Sequence, residues 1–326
     1  MKNLSKTLLY GAGAAVGMAA VRAAVYGSTN YLVKLAMDRQ APGMGKQEKR
    51  RDRLRGFLNC DAFVDEMLAA EKRLERSPHQ IIRIKGWDGK TLVGHWFPVK
   101  GHKRIILAMH GWRSSWCSDF GTIADFWKTQ RCSVLYVEQR GQGSSGDNYI
   151  GFGMTERYDC LAWLQWLCGH TEKDIPIYLA GVSMGATTVL LASGMDLPDA
   201  VRGIMADCGF TSAHHIWKYV AERNLHLRYG LHQNLADQLC RQRISMGTKS
   251  CSTVEALRKC KVPVLFIHGS EDHFVPVEMT YENYKACVAP KTLLIVPGAD
   301  HGMSHFVERD RYRRTMIDFW RSIEEL

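Results

Sequence analysis

Gly181, Val182, Ser183, Met184 and Gly185 read G-x-S-x-G. A serine hydroxyl becomes a useful nucleophile only where a base can take its proton and the surrounding chain leaves it accessible. The stretch before the motif, PIYLA, has the pattern of a buried strand, and the stretch after it, ATTVLL, that of a helix, so Ser183 falls on a sharp strand-to-helix turn. Small residues suit both glycine positions because such a turn strains the serine backbone and brings neighbouring chain close. The free N–H groups at the tip of the following helix favour negative charge beside the hydroxyl.

A histidine must serve as the base, and the chain has 13. His301 stands out because it lies in PGADHG, directly after the last predicted strand and at the same sheet edge as Ser183. A carboxylate must then fix the histidine's tautomer and stabilise the imidazolium. Asp272, in the loop GSEDHFVP after the strand VPVLFIH, gives the chain order Ser, Asp, His; Glu271 in the same loop and Asp207 at the end of GIMAD are the alternatives. Asp300, next to His301, reads as a turn-shaping residue. A developing oxyanion needs at least two donors. The N–H of Met184 supplies one, and that of Trp112, in the loop after RIILAMH, supplies the other, with Gly111 giving the chain room to turn.

Positioning these groups requires a sheet. HQIIRIK and KTLVGHWF form a hairpin around Asp88 and Gly89, followed by the apolar segments RIILAMH, SVLYVE, PIYLAG, GIMAD, VPVLFIH and TLLIV. Strands apolar along their whole length are covered on both faces, which is the parallel pattern. Helical stretches separate them, so the expected fold is α/β with a mostly parallel, doubly wound sheet. Residues 211–259 carry no strand pattern and are too long for a simple connection, which predicts a helical cap over the C-terminal edge of the sheet. Under such a cap, His110, Gly111, Phe210 and Trp217 are the expected substrate-pocket residues, with the Trp112 side chain as a further wall; the alternative for Trp217 is that it packs the cap onto the sheet.

From about Gln80 to the C-terminus the chain resembles the α/β-hydrolase superfamily. The resemblance rests on HGW (His110 to Trp112), EQRGQGSSG (Glu138 to Gly146), GVSMG, HGSEDHFVP and GADHG, five motifs in order. Glu138 stands where the second motif commonly has Asp. The hairpin before HGW and the insertion after GIMAD look most like the serine-aminopeptidase-like and Bem46-like branch. The resemblance implies an α/β-hydrolase fold and a serine hydrolase that needs no cofactor and no metal. It would cleave an ester, thioester or amide through an acyl-enzyme, as a carboxylesterase in the leading reading. A serine peptidase or acyltransferase with the same triad, or a tethered non-catalytic binding protein on this scaffold, is the alternative.

The N-terminal region reads differently. Thr7 to Val21 is an uncharged run preceded by Lys2 and Lys6, the layout of a membrane anchor or signal-like segment, with lipid as its partner. Residues 1–38 are thus expected to form an apolar anchor helix, 39–76 a basic helical linker and 77–326 the catalytic domain. The basic stretch and ten cysteines without C-x-x-C spacing favour a catalytic domain on the cytoplasmic face. A formal net charge of +10 brings nucleic acid into consideration, but no zinc site or basic stretch interleaved with aromatics accompanies it, so none is expected to bind. The expected partner is a small acyl substrate, and no oligomeric state is implied.

Overall fold

Strands that must be covered on both faces set the architecture. The computed structural model describes residues 21–41, 63–172 and 174–325. Eight strands form one sheet in the order β1-β2-β4-β3-β5-β6-β7-β8. They are β1 (Gln80–Lys85), β2 (Thr91–Phe97), β3 (Arg104–Met109), β4 (Cys132–Glu138), β5 (Ile177–Val182), β6 (Val201–Asp207), β7 (Val264–Gly269) and β8 (Lys291–Val296). β1 and β2 pair antiparallel, β2 joins β4 antiparallel, and every pair from β4 to β8 is parallel. β4 is buried along its whole length, as its unbroken apolar pattern requires.

Helices cover both faces. On one lie α2 (Val64–Arg76), α3 (Trp116–Thr129) and α11 (Arg309–Glu324), whose Phe120, Trp127, Met316 and Trp320 pack with β-strand residues such as Tyr136, Met205 and Ile267. On the other lie α4 (Glu156–His170) and α5 (Met184–Ala192), with α9 (Val277–Ala286) nearby. Ser115 caps α3 by accepting a hydrogen bond from the Ser118 N–H. All nine residues of α5 are buried, so the helix behind Ser183 cannot shift without disturbing the core.

Residues 211–259 are helical, as expected: α6 (Ala213–Tyr219), a π-turn (Val220–Asn224), α7 (Tyr229–Ile244) and α8 (Thr253–Leu257). A third apolar cluster beneath them joins Phe152, Phe210, Ile216 and Leu239 to Val33 and Met37. The short α10 (Ser304–Val307) completes the body.

Of the expected apolar anchor helix, residues 1–38, the described part begins at residue 21. Residues 21–37 form a helix, α1, whose later half is built into the body: Val33 is 2% exposed and Met37 fully buried. No described helix is long and apolar enough to cross a membrane. Apart from Val21, the run from Thr7 lies outside the described residues, as does 42–62 of the basic linker; the rest of that linker includes α2. The boundary at 38 therefore cuts through a packed segment, because Asp38 bridges to Tyr149 and the Arg39 N–H donates to the Asn148 carbonyl at 2.7 Å.

The motif EQRGQGSSG acts through one buried cation. Arg140 is 1% exposed and makes two 2.6 Å hydrogen bonds to Asp159, with further bonds to Asp88 at 3.0 Å and Asp147 at 3.1 Å. Burial pushes the Asp159 carboxyl up to about 6 even though Arg140 pulls it down. Arg140→Met should cost roughly 3–5 kcal/mol in denaturant unfolding at pH 8, since it leaves a buried carboxylate uncompensated. The loss should shrink at pH 5, where Asp159, freed of the cation that lowers it, is protonated and neutral.

Candidate active site

Ser183 sits between β5 and α5 with φ 54° and ψ −116°, a left-handed backbone that few residues other than glycine adopt. The flanking glycines make this turn possible. A Cβ on Gly185 would collide with the Met109 carbonyl of β3, and one on Gly181 would collide with the Gly185 backbone. The Ser183 N–H donates to the Asp207 carbonyl at 2.8 Å, anchoring the turn to β6.

The sheet order then gathers the other groups. His301, after β8, places Nε2 2.9 Å from Ser183 Oγ, and its Nδ1 lies 2.7 Å from Asp272 Oδ2, after β7. Asp272 accepts at Nδ1–H, which leaves Nε2 as the acceptor facing the hydroxyl. Asp272 Oδ1 accepts the N–H groups of Phe274 at 2.9 Å and Val275 at 2.7 Å. Burial would raise the Asp272 carboxyl, but His301 and His268 hold it well below the usual carboxylate range. Burial pulls His301 down, yet the adjacent Asp272 carboxylate outweighs it and holds the imidazole well above its usual value.

The alternative acids are elsewhere. Glu271 points into solvent, and Asp207 Oδ2 accepts from the Tyr312 hydroxyl at 3.1 Å. Burial raises Asp207 to about 6. Asp300 shapes the turn, accepting from the His301 N–H at 2.7 Å and the His273 N–H at 3.0 Å.

Met184 opens α5, so its N–H is among the unpaired ones of a helix start. The loop holding Trp112 approaches from β3, with Gly111 so close that a Cβ there would lie 3.4 Å from Ser183 Cβ. Two residues that the sequence reading passed over hold this machinery. Asp119 in the first turn of α3 accepts the Gly111 N–H at 2.6 Å and the Ser114 hydroxyl. His268, fully buried, lies 3.0 Å from Asp272 through Nε2 and 2.7 Å from the Thr280 hydroxyl through Nδ1. His268 ends an apolar strand, and an acid in the first turn of a helix is commonplace, so neither carried a distinct signal.

The expected pocket residues divide. Gly111 and Trp112 line a cavity of about 370 Å³ that contains Ser183 and His301. It runs away from the cap, between the sheet and α3 and α11, among Phe120, Ile123, Trp127, Met205, Ile267 and Met316. His110, Phe210 and Trp217 do not line it. His110 is a buried clasp that accepts the Gln139 N–H at 3.1 Å through Nε2 and donates to the Gly111 carbonyl at 2.8 Å through Nδ1, and burial lowers its pKa. Phe210 and Trp217 pack in the cap core around Phe152, because the insertion must bury its own apolar face. Among the described residues, Cys208, Asp272 and His301 are the one group with ligand atoms near enough to hold a metal, within 4.8 Å of one another. Two of them are committed to the Ser183 hydrogen-bond chain.

Residues 105–315 match the profile of the Alpha/beta hydrolase family. The uncharacterized protein YqkD of Bacillus subtilis is 30% identical over 187 residues, 57% of this chain and 61% of that protein, so the chain aligns with less than two thirds of this relative. The esterase Pf2001 of Pyrococcus furiosus superposes with a TM-score of 0.64 at 22% identity, covering 77% of this chain and 93% of that one. Est1E of Butyrivibrio proteoclasticus, solved with ferulic acid bound, superposes at 0.58 and 19% identity over 73% of this chain and 98% of its own. At these identities the likeness to solved structures is one of fold.

The hydrogen-bond chain sets a pH expectation. A base must be neutral to accept a proton, so activity falls as pH drops through the His301 pKa, and the raised pKa places that acid limb above the ordinary histidine range. Asp272→Asn removes the carboxylate that favours imidazolium. The limb of kcat/KM against pH should therefore move to lower pH while kcat falls by about 10⁴-fold.

Proposed function

The chain belongs to the alpha/beta hydrolase family, and from that premise we propose that it is a serine carboxylesterase acting through an acyl-enzyme. Ser183 Oγ attacks the ester carbonyl carbon as its proton passes to His301 Nε2. The N–H groups of Met184 and Trp112 receive the charge that moves onto the carbonyl oxygen. His301 returns the proton to the departing alcohol oxygen, the carbon–oxygen bond breaks, and Ser183 keeps the acyl group. Water then attacks the acyl-enzyme with His301 again as base, releasing the carboxylic acid and regenerating the serine. Asp272 stays ionised throughout and holds the imidazole. No step calls for a cofactor. The hairpin of β1 and β2 and the insertion after β6 are the features that favour the serine-aminopeptidase-like and Bem46-like branch.

The observation that carries this reading is the continuous geometry from Asp272 through His301 to Ser183, opening onto an apolar cavity of about 370 Å³. Apolar walls suit an aliphatic or aromatic acyl group, with hydrogen bonds confined to the carbonyl. A fluorophosphonate probe should label the wild-type protein at Ser183. Ser183→Ala should abolish labelling and lower ester turnover by about 10⁴-fold or more; labelling that persists on another serine would overturn the assignment.

The cavity also sets acyl preference. Each buried methylene contributes up to ~0.8 kcal/mol, so kcat/KM across a p-nitrophenyl ester series should rise by up to about fourfold per carbon until the cavity is full. Ile123→Trp should cut kcat/KM for long acyl chains by about tenfold or more relative to acetate, whereas Trp217→Ala should leave that ratio unchanged and lower the melting temperature.

A further inference from the structure

We infer that the C-terminal end of α1 positions the oxyanion loop, so that ester turnover depends on a segment some 75 residues earlier in the chain than the groups it holds. This rests on the proposed role of the Trp112 N–H.

A helix end leaves its last carbonyls without partners in the helix, and each needs a donor when it is buried. At the end of α1 the Lys34 carbonyl accepts from the Asp38 N–H at 3.0 Å and the Met37 carbonyl from the Ile150 N–H at 2.7 Å. The remaining acceptors are taken by two consecutive residues of the oxyanion loop. Trp112 Nε1–H donates to the Ala36 carbonyl at 2.8 Å. The Arg113 guanidinium donates to the Leu35 carbonyl through Nε at 3.1 Å and Nη2 at 2.8 Å, and to the Asp38 carbonyl through Nη2 at 2.7 Å. The loop thus completes the helix, and the helix fixes the loop.

Three further observations tie this joint to the chemistry. Arg113 has φ 51°, a left-handed backbone that a non-glycine residue keeps only when its surroundings impose it. Its peptide follows directly on Trp112, so the clasp acts beside the proposed donor. The end of a helix also carries about half a negative charge, which would oppose an oxyanion nearby; the Arg113 guanidinium binds that end and neutralises it. Finally, the Trp112 ring stacks on Phe274 at 6.4 Å, and Phe274 meets the His301 ring edge-on at 5.2 Å. Displacing Trp112 therefore disturbs both the donor and the wall that confines the base. Asp38 Oδ1 accepts from Arg243 Nε at 2.7 Å, linking the same helix end to α7 of the cap.

Full-length variants approach the joint from both sides. Trp112→Phe keeps an aromatic ring and the backbone N–H but removes the indole donor. Arg113→Asn keeps a residue that tolerates left-handed φ. Met37→Ala loosens α1 from a buried site. Each is assayed with p-nitrophenyl esters well below its melting temperature. Losing one oxyanion donor outright costs about 10²–10³ in kcat, so misplacing it should lower kcat by about tenfold or more with KM within about threefold. Because Met37 and Arg113 act on one joint, the double variant should be no slower than the worse single one. Wild-type kcat in Trp112→Phe and Arg113→Asn would overturn the inference even if Met37→Ala fails to fold, and so would multiplied losses in a folded double variant. A wild-type protein that hydrolyses no ester would instead overturn the esterase reading.

Discussion

A serine held at φ 54° is the constraint from which the rest of the site follows. Left-handed backbone costs an L-residue about 1–2 kcal/mol, and the turn persists only because its neighbours leave it no alternative. The Met109 carbonyl presses on Gly185, the Asp207 carbonyl accepts the Ser183 N–H, and α5 is buried throughout. Those contacts require β3 and β6 to flank β5, which is the order seen in the sheet. The same order brings the ends of β7 and β8 alongside, and with them Asp272 and His301.

Two aspartates near the serine are driven in opposite directions. Asp272 is surrounded by two imidazoles and two backbone N–H groups, so its charge survives burial. Asp207 has only the Tyr312 hydroxyl on one oxygen, while Oδ1 has no partner, and burial raises it. Burial alone thus does not decide which carboxylate keeps its charge; the number of donors pointing at it does.

The sequence made Ser183, Asp272 and His301 legible because each sits at a strand end, and apolar strands are the clearest periodic signal in the chain. The eight strands and the helical insertion were readable for the same reason. The cavity was not. Its walls are Phe120, Ile123, Trp127 and Met316, ordinary core residues whose pattern reports burial and not the gap left between them. The roles of Trp217 and Phe210 stayed open because a helix that packs a cap and one that roofs a pocket show the same spacing. The end of α1 escaped because its contacts with Trp112 and Arg113 run through main-chain carbonyls, which any residue type supplies.

The cavity's place beneath the cap-free side of the site divides evolutionary labour. Residues 211–259 do not line the cavity, so insertions and replacements there leave that space unchanged. Changing that space means altering Phe120, Ile123 or Met316, which also knit the sheet to α3 and α11. If the cavity takes the acyl group, as proposed, a lineage shifting acyl preference must draw on its reserve of folding stability. Diversification within such a scaffold should run faster in residues 211–259 than in the cavity walls.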